Sequence, residues 1–325
     1  MRRAGLHRPG PPPAQALGGV RRGRHGLRGG RGGRDPAGRA AEAAPGRLNP
    51  RRKDRSGRTR RGGAGVTTDE ETPPPGGPGI GDYGRTFGEV YDDWYPPEFG
   101  DGTAAVAALA RFGAGGEALE LGVGTGRIAI PLARRGVRVH GVDSSPEMLR
   151  RLRGKPGGHL VRTVLADMAD CDLGRRFTLV YSVFNSLFCL PDQARQTACL
   201  AVAARHLAPG GRLVVDHQIP AGVSPGISAR HFHTEEDRFR FSLVDCDPVT
   251  QVMDRRTVVV TDGDTVSYRS VIRYVWPGEL DLMAAAAGLV PLARAADWKG
   301  SPMSADSPGC VSVYRHRAPG EGAKA

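Results

Sequence analysis

From about residue 79 onward, short apolar runs alternate with amphipathic stretches, and each change of period marks an element. Thr103 to Phe112 reads as an apolar amphipathic helix, ended by Gly113 and the Gly115-Gly116 turn. Ala118 to Leu121 is a short buried strand. A glycine-rich turn (Gly122, Gly124, Gly126) follows, and then a helix with Ile128, Leu132 and Ala133 on its inner side. Val137 to Val142 is a second apolar run ending at Asp143. This is a βαβ unit with an acid at the tip of its second strand, the layout of a nucleoside-binding site. Ser144 or Ser145 can cap the next helix, with Pro146 in its first turn. Val161 to Leu165 and Phe177 to Phe184 are the third and fourth strands. A helix over 191–207 leads into the Val-rich strand that ends at Asp216-His217.

The pattern then changes character. Phe239 to Val244, Gln251 to Thr261 and Thr265 to Val275 alternate and are rich in β-branched residues, with turns at Asp245 to Pro248 and Asp262-Gly-Asp264. Residues 230–276 are therefore expected to form an antiparallel insertion of about three strands. A helix (Glu279 to Ala287), a strand after Gly288 and a last strand (Val311 to Arg315) close the chain. Ahead of these elements, Tyr83, Phe87, Tyr91, Trp94 and Tyr95 recur at three- and four-residue spacing, which predicts a helix with an aromatic stripe.

Composition separates the first 78 residues from the rest. They carry 18 basic and 6 acidic residues, whereas residues 79–325 carry 28 of each, so the formal net charge of +12 belongs to the tail. Arg, Gly, Pro and Ala with almost no large apolar residues cannot bury enough surface to offset ordering, so residues 1–78 are expected to be disordered. A nucleic-acid arm would use the Arg-Gly runs as phosphate contacts, but there is no aromatic residue there for stacking. A transit peptide is disfavoured by the Gly and Pro density. The plainest expectation is a start assigned too far upstream, with Val66 an alternative beginning. The folded part, residues 79–325, is charge-balanced, which argues against groove binding to nucleic acid. No apolar run is long enough to span a membrane and no signal-peptide core is present. Five scattered cysteines (Cys171, Cys189, Cys199, Cys246, Cys310) without Cys-x-x-Cys pairing fit reduced thiols in a cytoplasm. No His/Asp/Glu grouping has metal-ligand spacing, so no metal is expected.

The glycine turn carries the chemistry. A dinucleotide fingerprint would need glycine at position 127, where the chain has Arg127, and Glu120 two residues before the first glycine would repel a pyrophosphate. A cationic ligand with a free amino group suits that carboxylate. The stretch Glu120-Leu-Gly-Val-Gly-Thr-Gly126 resembles motif I of the class I S-adenosylmethionine-dependent methyltransferases. The resemblance covers roughly residues 82–317. It extends to Tyr91-Asp-Asp-Trp-Tyr95, to Asp167-Met168 with the Leu-Gly-Arg-x-Phe that follows, and to the Leu-x-Pro-Gly-Gly at 207–211. By pattern it is nearest to small-molecule members such as the nucleotide-sugar N,N-dimethyltransferases. It implies a Rossmann-like α/β fold: a seven-stranded sheet with helices on both faces, the antiparallel insertion following the fifth strand and covering the site. It also implies the cofactor S-adenosyl-L-methionine. Gly122, Gly124 and Gly126 would wrap the methionine part, and Glu120 would face its ammonium through water. Asp143 would accept both ribose hydroxyls, with Ser144 beside it. Met148 would lie against the adenine, or simply be core. Asp167 and Met168 would read the adenine edge, Phe184 would complete the set, and Tyr91 and Tyr95 would form a lid. The nucleic-acid and glutamine subclass is disfavoured, because its Asn/Asp-Pro-Pro-Tyr/Phe signature is replaced by Phe184-Asn185-Ser186-Leu187.

Methyl transfer from a sulfonium mainly needs alignment and exclusion of water, with a base to take the acceptor's proton. His217, following the fifth strand, is the first candidate base. His231, with His233, is second, and Tyr91 is a further catalytic candidate. The expected reaction is methylation of an N or O atom of a small-molecule acceptor by a monomer or homodimer. The alternatives are an RNA methyltransferase using the basic tail, and a cofactor-binding regulator without catalysis; a dehydrogenase comes third.

Overall fold

The computed structural model describes residues 83–95, 102–220, 226–235, 238–318 and 321. The expected tail, residues 1–78, lies outside them.

Local sequence accounts for most elements. After α1 (Tyr83–Phe87), α2 (Tyr91–Trp94) and α3 (Gly102–Phe112) comes β1 (Glu117–Leu121), then α4 (Ala129–Arg134), β2 (Arg138–Asp143) and α5 (Pro146–Gly154). Ser145, not Ser144, caps α5 by accepting a hydrogen bond from the Met148 N–H at 3.3 Å, with Pro146 in the first turn. β3 (Val161–Leu165), β4 (Phe177–Ser182), α6 (Gln193–His206) and β5 (Leu207–Gln218) follow. Asp192 caps α6, so that helix begins two residues later than the pattern suggested. Next come β6 (Gly226–Glu235), β7 (Arg238–Asp247), β8 (Val252–Thr261), β9 (Thr265–Arg273), α7 (Pro277–Ala286), β10 (Leu289–Ala295) and β11 (Gly309–His316).

Seven strands form one sheet in the order β10-β11-β5-β4-β1-β2-β3. β4, β1, β2 and β3 pair in parallel, as do β4 and β5, while β11 runs antiparallel to both β5 and β10. The order reverses between β1 and β4, and a crevice opens at the carboxyl ends of strands at such a switch point. The pleat divides β1 between two apolar clusters. Leu119 and Leu121 bury on the face shared with α6 and α7. Ala118 buries on the opposite face with α3, α4 and α5.

The insertion is larger than expected. It is a separate four-stranded antiparallel sheet, β6-β7-β8-β9, and begins at Gly226. β6 was missed because Gly226-Ile-Ser-Ala-Arg-His-Phe-His-Thr-Glu235 has only weak β-branched alternation. The β8–β9 hairpin turns at Asp262 to Asp264, with Gly263 at φ +107°. At the other end, Arg273 ties the sheet to the helices. Its guanidinium donates to Gln196 Oε1 (2.6 Å), Gln251 Oε1 (2.9 Å) and Glu279 Oε1 (2.7 Å).

The aromatic stretch is not one helix. It breaks at Gly88 into α1 and α2, and a Cβ at Gly88 would lie 2.8 Å from the Gly84 carbonyl oxygen and 2.9 Å from Glu147 Cγ. The two short helices pack by their rings. Tyr83 stacks on Phe87 at 4.5 Å, and Trp94 meets Tyr268 of β9 edge-on at 4.9 Å. Asp92 anchors α2 to the glycine turn by accepting hydrogen bonds from Thr125 Oγ1 and Lys155 Nζ, each at 2.6 Å.

Candidate active site at the sheet's switch point

Beyond Leu121 the chain turns sharply over the end of β2. The N–H groups of Gly122 and Val123 both donate to the Val142 carbonyl, at 2.9 and 3.0 Å. Gly122 has φ +82°, and a Cβ there would meet the Ser186 Cβ at 2.8 Å. At Gly124 (φ +53°) a Cβ would project into open space, because that residue borders a cavity. Asp143 closes the turn: its Oδ2 accepts from the Gly124 N–H at 2.8 Å and its Oδ1 from the Ser145 N–H at 2.9 Å. Each oxygen keeps a lone pair for a further donor.

The cavity is about 670 Å³, within the range of small-molecule sites. Gly122, Gly124, Asp143 and Ser144 border it at the turn, Met148, Asp167 and Met168 beyond, and Phe184 across from them. Tyr83, Tyr91, Trp94 and Tyr95 cover it from α1, α2 and the residue that follows, and residues of β7, β8 and β9 form the far wall. Ten of the sequence-derived residues thus come together: Tyr91, Tyr95, Gly122, Gly124, Asp143, Ser144, Met148, Asp167, Met168 and Phe184.

Glu120 and Gly126 do not line this cavity. Gly126 faces Leu152 and Ile130. Glu120 borders a recess of about 30 Å³ beneath the turn, shared with Tyr91, Arg127 and Phe184, which is room for roughly one water. Its Oε2 accepts from the Tyr181 O–H at 3.0 Å. Burial pushes the Glu120 carboxyl up to about 8, against the Tyr181 hydrogen bond and the Arg127 charge, which lower it.

Arg127 is the site residue that the sequence reading missed, since it counted there only as a departure from glycine. It is 7% exposed. Its Nε and Nη1 have no hydrogen-bond partner, and its guanidinium lies 3.5 Å above the centre of the Phe184 ring. Phe184 and Asn185 hold φ of +53° and +65°, a region that phenylalanine rarely enters. Asp216 Oδ2 accepts from the Phe184 N–H (3.3 Å) and from Trp298 Nε1 (3.2 Å), and Asn185 Oδ1 accepts from the Gln218 N–H (2.7 Å). Such strain persists where surrounding bonds hold it, and clusters at ligand sites.

The candidate bases fare differently. His217 does not reach the cavity. Along β5 it is Gln218 that lines the cavity, while the His217 ring packs on Phe188 at 5.3 Å and is 1% exposed. Burial lowers its pKa below the usual histidine value, and its Nε2 has no partner. His231 and His233 fall in β6, and their side chains lie outside the described residues. Tyr91 is at the cavity, but burial, opposed by the Arg127 charge, pushes its hydroxyl up to about 12, so near neutrality it can donate a hydrogen bond but cannot act as a base. Cys171, Cys199, Cys246 and Cys310 are buried, and Cys189 is half-buried.

Sheet order, glycine turn and terminal acid define a Rossmann-like nucleoside-binding protein. The methyltransferase domain family matches residues 118–211. The cypemycin N-terminal methyltransferase of a Streptomyces species is 31% identical over 236 residues, spanning 69% of this chain and 94% of that one. Among solved structures, the CcbJ methyltransferase from Streptomyces caelestis is 38% identical, with a TM-score of 0.68, over 73% of this chain and 98% of that one. An S-adenosylmethionine-bound amino pentose methyltransferase from Micromonospora echinaspora is 26% identical, with a TM-score of 0.56, over 70% of this chain and 96% of that one. The chain belongs to the S-adenosylmethionine-dependent methyltransferases, and S-adenosylmethionine is its cofactor. No helix among the described residues is long and apolar enough to cross a membrane.

Proposed function

We propose that the enzyme methylates an amine nitrogen of a small-molecule acceptor. The observation that carries this reading is the lining of the cavity. Among the described residues no histidine faces it, and the Tyr83 and Tyr91 hydroxyls are raised by burial. An alcohol would need a strong base to become a nucleophile. An amine that enters unprotonated needs only alignment, and its proton can leave after transfer. Two relatives, an N-terminal methyltransferase and an amino pentose methyltransferase, support nitrogen as the acceptor atom.

The residues fit the cofactor. Arg127 is a buried, unpartnered cation beside the glycine turn, suited to the methionine carboxylate. Glu120 would meet the ammonium across a recess with room for roughly one water. The free lone pairs of Asp143 would accept the ribose hydroxyls, and Met148 and Met168 would flank the adenine. Asp167 would accept the adenine amino group while Arg195 and the Ala169 N–H hold its carboxylate in place. When bound, S-adenosylmethionine supplies a methyl group already activated on a sulfonium. Tyr83, Tyr91 and Tyr95 close over the site and exclude water.

Full-length protein should bind S-adenosylhomocysteine in calorimetry, and Asp143→Ala should lose about 1–3 kcal/mol from unmade hydrogen bonds. With S-adenosylmethionine, a panel of amines matched to the corresponding alcohols should gain a methyl group by mass only at nitrogen. Methylated alcohols would overturn the proposal.

Glu120 adds a signature in pH. Its folded value, about 8, lies above the ordinary glutamate value of 4.5, so the free folded protein holds the extra proton, and stability falls as pH rises across that window. An ammonium placed opposite favours the carboxylate. Binding of S-adenosylhomocysteine at pH 7 should therefore release a proton, and calorimetry in two buffers of different ionisation enthalpy reads it. Glu120→Gln should abolish the release. Equal binding heats in both buffers would rule out this role.

A further inference from the structure

The inner wall of the four-stranded sheet is polar and cationic. The pleat turns Arg240 and Ser242 of β7, Arg255 and Thr257 of β8, and Ser270 and Ile272 of β9 into the cavity. Ser242 and Thr257 are directly opposite in register and hydrogen-bonded at 3.0 Å. On the same register, Arg240 lies two residues to one side of this pair and Arg255 two residues to the other. Each is on the order of 7 Å from the pair along its strand, a distance an extended arginine spans. Both guanidiniums can therefore converge on the two hydroxyls.

The charge on this wall is uncompensated. Among the described residues neither Arg240 nor Arg255 has a carboxylate partner, and Arg240 rests on the Trp94 ring at 5.0 Å. Two other arginines of the same sheet do have partners. Arg269, on the opposite face, pairs with Asp254 at 2.6 Å, and Arg273 pairs with Glu279. The cavity's carboxylates are committed elsewhere. Asp143 is held by the glycine turn, and Asp167 by Arg195. A planar guanidinium is the side chain best matched to carboxylate or phosphate oxygens, and a half-enclosed wall makes such a contact stronger than it is in bulk water.

We infer that the acceptor carries an anionic oxygen group, a carboxylate or a phosphate ester, and that Arg240 and Arg255 bind it above the Ser242–Thr257 pair. This rests on the acceptor-amine reading above and adds a second recognition point, at the sheet, to the reacting nitrogen. The arginines would set which amines enter and hold the acceptor against the methyl donor.

The test titrates inorganic pyrophosphate and, separately, citrate into the full-length protein, with and without saturating S-adenosylhomocysteine. Intrinsic tryptophan fluorescence, to which Trp94 beside Arg240 contributes, and calorimetry are the readouts. The expected result is binding that weakens as salt is raised. Arg240→Gln and Arg255→Gln should each weaken it tenfold or more, while S-adenosylhomocysteine affinity stays within twofold, which shows that the variants are folded. Arg269→Gln, on the outer face, should change nothing. The tighter of the two probes separates phosphate from carboxylate. Anions that bind the variants as well as the parent, that bind neither, or that lose equally from Arg269→Gln would overturn the inference. If S-adenosylhomocysteine bound while no arginine-dependent anion site appeared, this inference alone would fall. Failure of the amine panel despite an intact anion site would instead overturn the acceptor-amine reading.

Discussion

Replacing Arg127 by methionine is expected to change two quantities in opposite directions. The free protein should become more stable by about 1–3 kcal/mol, because an apolar side chain of similar length replaces a buried, unpartnered cation. The cation–π contact with Phe184, worth about 1 kcal/mol, offsets part of that gain. Affinity for S-adenosylhomocysteine should fall about a hundredfold or more, since the proposed charge-assisted pair with the ligand carboxylate could not form. Denaturant unfolding reads the first and calorimetry the second. A variant less stable than the parent that still bound the ligand normally would show that Arg127 serves the fold and not the site. Stability given up for function is common where a site must be charged before its ligand arrives.

Arg273→Met is the second large effect, with the opposite sign for stability. The guanidinium sits at 7% exposure and reaches Gln196, Gln251 and Glu279 together, so its removal takes the donor from two amide oxygens and the charge partner from a largely buried carboxylate that keeps only the neutral Gln193 and Gln251 donors. Breaking one side of such a pair costs about 3 kcal/mol or more. The loss should appear as a lower unfolding midpoint, with ligand affinity in the folded fraction changed only modestly. Acid dependence gives a further check. Burial would raise the Glu279 carboxyl, but hydrogen bonds from Gln251, Arg273 and Gln193 outweigh it and hold the group below its ordinary value. A depressed carboxylate stabilises the fold above the unfolded value of 4.5, and that contribution disappears as pH falls through the folded value. The variant should therefore lose less stability than the parent on acidification below pH 4.5. An unchanged midpoint would mean that the second sheet is held by its apolar contacts alone, through Tyr274 and Val275.

What could be read from the chain was whatever depends on neighbours in sequence. The β1–turn–α4–β2 unit is local: its glycines, its apolar periods and its terminal acid lie within 27 residues, Glu117 to Asp143. Three-residue turns and helix caps are equally local, so a serine cap on α5, at 144 or 145, and the hairpin at Gly263 followed from residue type, and the structure chose Ser145. That much gave a βαβ nucleoside-binding layout, and its resemblance to motif I implied the fold class, the cofactor and the residues expected around Asp143.

Tertiary structure decided the rest, because those questions turn on register and on what lies opposite. One residue of pleat parity separates Gln218 in the cavity from His217 in the core, and a strand's end does not reveal its parity. Arg127 looked like a failed glycine until Phe184, folded back in a left-handed conformation from 57 residues away, stacked on it. The inner wall of the insertion needed the pairing of β7 with β8 to set Arg240 and Arg255 on either side of Ser242 and Thr257. The glycine turn, through its resemblance to motif I, pointed to a methyl donor as the ligand. Which groups face the acceptor was decided by how two sheets, each regular by itself, close around the same space.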